Sequence, residues 1–116
     1  MQINNSYSLL RTLNLPNDLK HLTLDQLKQV ALELRGEMID LSKIHNVHFS
    51  SNLGVIELTI ALIRCFNPLT DQIVFDIGHQ AYIYKMLTGR LDQMHTIKEY
   101  QGIGGFQNPN ESPYDK

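Results

Sequence analysis

A chain of 116 residues with 10 Lys and Arg against 12 Asp and Glu, a net charge of −2, has room for one domain and one modest core. That slightly acidic balance argues against a nucleic-acid binder, which usually clusters Lys and Arg, while 42% apolar and 19% charged residues are ordinary for a soluble globular piece. No run reaches the roughly 18 apolar residues of a membrane span, Met1-Gln2-Ile3-Asn4-Asn5 lacks a secretion-signal pattern, and the single cysteine, Cys65, has no partner for an internal disulfide, so a cytoplasmic setting is expected.

Residues 1–17 read as an extended lead-in that turns helical after Pro16. Thr23 with Gln26 three residues later forms a capping-box pattern. From there Leu24, Leu27, Ala31, Leu34, Met38, Leu41 and Ile44 recur at helical spacing, which predicts an amphipathic helix ending near His45-Asn46. Gly36 inside it costs about 1 kcal/mol against Ala; the sequence alone gives no reason for it, and close packing against a neighbour is the plain alternative. A loop with small residues, Val47-His48-Phe49-Ser50-Ser51-Asn52-Leu53-Gly54, precedes a helix over Val55 to Phe66 that is apolar on nearly every side. Such a helix is expected to be covered all round, with Cys65 packed inside and Ser51 or Asn52 capping its start. Asn67-Pro68 ends it.

Gln72-Ile73-Val74-Phe75 has the apolar character of a buried strand. Asp76-Ile77-Gly78-His79-Gln80-Ala81-Tyr82 follows, so the glycine would turn the chain from strand to helix, with His79 at the junction where open α/β sheets collect ligands. The helix closes at Thr88-Gly89, and a short polar one is predicted from Leu91 to Tyr100. Gly102, Gly104, Gly105, Pro109 and Pro113 then mark a flexible loop, not a dinucleotide fingerprint, because no strand precedes the glycines. A lone strand leaves backbone groups unpaired. The expected resolution is that residues 1–116 are the front of a larger α/β domain, mostly helical with one buried strand; strands supplied by another chain, or a helix in place of the strand, are the alternatives.

Of the five histidines, His21 and His95 lie in polar segments and are expected on the surface. His45 and His48 stand three apart, the spacing of a metal pair on a helix, but the helix is expected to end between them. His48 sits among small hydroxyl residues that would let a ligand approach. At a helix start the dipole disfavours imidazolium by roughly 0.3–1 kcal/mol, leaving His79 neutral and able to pass a proton. Glu57, a lone acid in an apolar helix, calls for an ion pair or an exposed edge.

The segments from His48 to Thr59 and from Asp76 to Tyr82, with Lys85-Met86-Leu87-Thr88-Gly89-Arg90, Gly104-Gly105-Phe106 and Glu111-Ser112-Pro113-Tyr114-Asp115, resemble the 1-deoxy-D-xylulose-5-phosphate synthase family, in order and over nearly the whole chain. The resemblance implies a thiamine diphosphate enzyme of the transketolase-like group, homodimeric, that condenses pyruvate with glyceraldehyde 3-phosphate and releases CO2, feeding isoprenoid, thiamine and pyridoxal synthesis. It implies that His79 contacts thiamine diphosphate and that His48 is a catalytic histidine of proton transfer and substrate handling. The family's Gly-His-Ser segment, its Mg2+ ligands and its cofactor-activating glutamate have no counterpart here. The chain is therefore expected to need the remainder of the synthase and to be inactive alone. A non-catalytic remnant serving as a helical interaction module is the alternative.

Overall fold

The computed structural model describes residues 9–45, 49–75 and 78–116. Its longest element is helix α2, Leu24–Ile44, preceded by the short helix α1, Leu9–Thr12, and a 3-10 turn, Asn17–His21. The capping box forms as expected: the Gln26 N–H donates to Thr23 Oγ1 at 3.2 Å, and the Thr23 N–H donates to Gln26 Oε1 at 2.9 Å. Together they satisfy two amides that a helix start leaves open. Val30, Ala31, Leu34, Met38 and Leu41 form the buried face, whereas Leu24 and Ile44, at the two ends, are more than 60% exposed. Gly36 is not a packing position, since a methyl group there would meet nothing within 4 Å.

Helix α3, Phe49–Leu53, leads into helix α4, Ile56–Cys65. Helices α2 and α4 run antiparallel, with Arg35 on Glu57 near the start of α4 and the chain just ahead of α2 against its end. That second junction is cross-braced. Lys20 Nζ donates to the carbonyls of Ile63, Arg64 and Phe66 at 2.9–3.2 Å, while Arg64 donates back to the carbonyls of Leu19 and Leu22. Each cation thus occupies the open carbonyl end of the other's helix. Helix α4 is covered on one face only: Ile56, Thr59, Ile60 and Ile63 are buried, but Leu58 is 55% exposed and Cys65 is also exposed. Neither Ser51 nor Asn52 caps it; Val55 precedes its first turn without a side-chain bond.

The expected α/β architecture is not found, because all regular structure among the described residues is helical. Residues 72–75 have no regular structure and carry no ladder. Their backbone groups are met instead by one side chain: Gln107 accepts from the Phe75 N–H at 3.0 Å and donates to the Ile73 carbonyl at 2.8 Å. A primary amide offers the same donor and acceptor pair as a neighbouring peptide group, which relieves the penalty that made the lone strand implausible. The segment is not fully buried either, since Ile73 points inward while Val74 is 62% exposed.

Beyond it the chain winds through a 3-10 turn, Gly78–Ala81, helix α5, Tyr82–Lys85, and a wide turn, Met86–Arg90, broken at Thr88 and Gly89. The break falls where the sequence places it; Gly89 has φ of 99°, a conformation other residues enter at a cost. Tyr82 to Leu87 are all fully buried, so this broken helix is the centre of the fold. A 3-10 helix, Leu91–Thr96, replaces the longer helix predicted to Tyr100.

Candidate functional site

His79 is the second residue of the Gly78–Ala81 turn, and His48, like Asp76 and Ile77, lies outside the described residues. The turn and the following helix α5 are only four residues each, so the dipole invoked for His79 from the sequence has little helix to draw on. What holds this region is more local. Asn52, fully buried in helix α3, accepts the Tyr82 N–H on its side-chain oxygen at 3.1 Å, and Gln80 Nε2 reaches the Ser51 carbonyl at 3.5 Å. The segment that follows His48 is thereby tied to the second half of the turn that carries His79 and to the residue after it.

A second set of contacts fixes the other side of α5. Lys85, with no solvent exposure, lies 2.7 Å from Glu111. Arg90 lies 2.5 Å from the same carboxylate and grips both oxygens of Asp115 at 2.7 Å. Glu111 also accepts the Gly104 N–H at 3.0 Å, and Asp115 accepts that of Asn108 at 2.8 Å. Tyr84 donates to the Tyr114 carbonyl at 2.7 Å. Burial opposes ionisation of Glu111, but hydrogen bonds from Lys85, Gly104 and Arg90 outweigh it and hold the carboxyl below its usual value. Burial, then the nearby Asp115 charge, push the Tyr84 phenol up to about 12. The glycine-rich tail read as a flexible loop is thus pinned along its length. At Gly102 the fit is closest, since an added Cβ would overlap the Thr96 carbonyl.

These pairings bear on what the site can hold. Among the described residues no group of three His, Cys, Asp or Glu side chains is placed to bind a metal ion. Glu111 and Asp115, the acids nearest helix α5 in this network, are already committed to Lys85 and Arg90. The described residues therefore do not fit Mg2+.

The remaining histidines are ordinary. His45 Nε2 lies 2.6 Å from the His95 carbonyl oxygen and 3.2 Å from Glu99, and His21 and His95 are exposed. Glu57 is exposed and paired with Arg35 at 2.7 Å, and the hydrogen bond from Arg35 lowers its pKa. Between α2 and α4 lies an apolar groove of about 680 Å³, floored by Ala31 and Ile60 and edged by Leu24, Leu32, Ala61 and Cys65.

Residues 10–116 match the family model described as 1-deoxy-D-xylulose-5-phosphate synthase. The chain belongs to that family. Among its relatives, the 1-deoxy-D-xylulose-5-phosphate synthase of Chlorobium phaeovibrioides is 51% identical over 110 residues, covering 95% of this chain and 17% of that protein. Those of Chlorobaculum tepidum and Phocaeicola vulgatus are 48% and 49% identical over 113 and 115 residues, in each case 18% of the relative's length. The chain thus spans less than a fifth of the synthases it matches.

Two features of this synthase-family chain escape a reading of its sequence. Asn52 passes for a helix cap, and nothing in its neighbours points to a partner thirty residues on. The four-charge cluster has a faint signal: Lys85 and Arg90 flank an otherwise apolar run, and Glu111 and Asp115 follow at a spacing that could meet them. No helix among the described residues is long and apolar enough to cross a membrane.

Proposed function

We propose that this chain supplies the N-terminal part of the thiamine diphosphate-binding domain of a 1-deoxy-D-xylulose-5-phosphate synthase, and that catalysis requires the remainder of the synthase. The observation that carries this reading is the match over residues 10–116, at about half identity to synthases more than five times as long. In the complete, homodimeric and cytoplasmic enzyme the substrates would be pyruvate and glyceraldehyde 3-phosphate. His79 would contact the cofactor and His48 would move protons at the substrate. The Mg2+ ligands would come from outside these residues.

The chain's own contribution is positional. The Asn52–Tyr82 bond and the Glu111 cluster hold helix α5 from both sides, which limits movement of the turn in which His79 sits. A backbone turn fixed before ligand arrives avoids an ordering cost at the moment of binding, and a histidine carried on it can donate, accept or relay a proton near neutral pH.

The test is to assay the purified chain alone and with the portion of the Chlorobium phaeovibrioides synthase that its match leaves uncovered. The chain alone should release no CO2 from pyruvate and glyceraldehyde 3-phosphate; the mixture should, and His79→Ala should raise the thiamine diphosphate concentration needed by about tenfold, the loss of roughly 1.4 kcal/mol of binding. Turnover by the chain alone, or an unaltered cofactor requirement in His79→Ala, would contradict the reading. A non-catalytic interaction module is the second reading, favoured by the open groove between α2 and α4.

A further inference from the structure

We infer that the groove between α2 and α4 is a docking site for an amphipathic, acid-flanked helix from the part of the synthase that these 116 residues do not include. The inference rests on the proposed function for the identity of the partner, and on the surface itself for its chemistry.

The surface is made by two matched stripes. On α2, Leu24, Leu27 and Ala31 recur at three- and four-residue intervals, and on α4 Ala61 and Cys65 stand four residues apart with Ile60 beside them. Three- and four-residue steps keep each set on one side of its helix. The small residue Ala31 keeps the floor low and Ala61 keeps the edge low, so a third helix can lower its own apolar side chains between the two, as helix-in-groove partners do. Leu24 and Leu32 are 67% and 63% exposed. Contiguous apolar surface of this kind marks interaction sites in soluble proteins.

Charge narrows the occupant further. The chain as a whole carries −2, yet the groove is bordered by Lys28, Arg35 and Arg64 against the single acid Glu57. Arg35 is balanced by Glu57, and Arg64 faces the Leu19 and Leu22 carbonyls, which are uncharged. The border is thus positive on an otherwise acidic molecule. A second copy of the chain would bring the same cations against these, which disfavours self-association through this face; a helix with acidic residues beside its apolar stripe complements it. The missing length of the synthase, more than four-fifths of each matched relative, is where such a helix would come from.

Cys65 provides a readout, because it is the single cysteine, it is exposed, and it lines the groove. Its alkylation rate is measured by peptide mass spectrometry in the chain alone, in the chain mixed with the uncovered portion of the Chlorobium phaeovibrioides synthase, and in the two joined as one polypeptide. Cys65 should react at least tenfold more slowly in the mixture and in the joined protein than alone. Leu32→Glu, at an exposed position, should restore the fast rate, and Lys28→Glu should weaken association severalfold. Association with turnover but with Cys65 still fully reactive would overturn the docking site and leave the proposed function standing. Protection of Cys65 without turnover would leave the groove standing and count against the function. Protection that grows with the concentration of the chain alone would make a second copy the occupant and overturn the inference, as would the absence of association in both forms.

Discussion

The ammonium of Lys85 and the carboxylate of Glu111 lie 2.7 Å apart, with the lysine shut away from solvent, and this contact sits between the centre of the fold and its last sixteen residues. Arg90 shares the same carboxylate, so one acid faces two cations. Glu111→Gln should therefore cost about 3 kcal/mol, because removing one partner of a buried set leaves charge without compensation. Urea unfolding followed by circular dichroism measures it. Lys85→Met, which removes a cation and leaves Arg90 on Glu111, should cost less; equal losses would show that the acid is not shared.

Acid should loosen this same contact. The folded pKa of Glu111 is lowered from 4.5, so its stabilising contribution is complete above that value and is lost as pH falls through the lower, folded value. Glu37 runs the other way: burial raises its pKa despite the Arg11 contact, so it contributes no loss in that window. Tyr84 sets the alkaline limit, since a phenol raised to about 12 stabilises the fold below the ordinary value of 10.0 and ceases to as pH climbs to the folded one. Denaturation midpoints recorded from pH 3 to pH 7 should fall steeply only below about 4.5 in the parent and much less in Glu111→Gln.

Asn52→Leu should cost about 1–3 kcal/mol, the penalty for burying the Tyr82 N–H without an acceptor. Asn52→Asp retains an oxygen at that place but puts an ionised carboxyl in a fully buried position, and should not cost less. Hydrogen exchange at the Tyr82 amide distinguishes this from general loosening: it should accelerate in Asn52→Leu before amides of helix α2 do.

Two glycines should respond in opposite directions. Gly36→Ala has open space around it and should stabilise α2 by about 1 kcal/mol, visible as a higher Tm. Gly102→Ala would drive a methyl group into the Thr96 carbonyl, and should destabilise by about 1–3 kcal/mol as the 96–103 loop is forced apart.

Much of this was legible in the sequence where a local rule decides the outcome. Thr23 and Gln26 announce their cap, Gly89 its break, and Glu57 its ion pair, because each depends on neighbours in sequence or on a single exposed partner. Residues 72–75 misled for a definite reason. Apolar composition reports burial, but not which group will satisfy the backbone, and here the partner is the Gln107 side chain, more than thirty residues away, and not another strand. Helix α4 misled likewise: its apolar character predicts cover on every side, whereas within this chain one face is covered and the other forms the groove edge. For the candidate site, a turn at Gly78 was legible, but Asn52, which bonds the residue just after it, and Glu111, which holds Lys85 of helix α5, were not.

Lys20 and Arg64 act on carbonyl oxygens, which carry no ionisable proton. The joint they make is therefore blind to acidity over the range in which carboxylates titrate. On acidification the molecule should come apart from its tail inward, with the elbow between the first 3-10 turn and the end of α4 among the last pieces to let go.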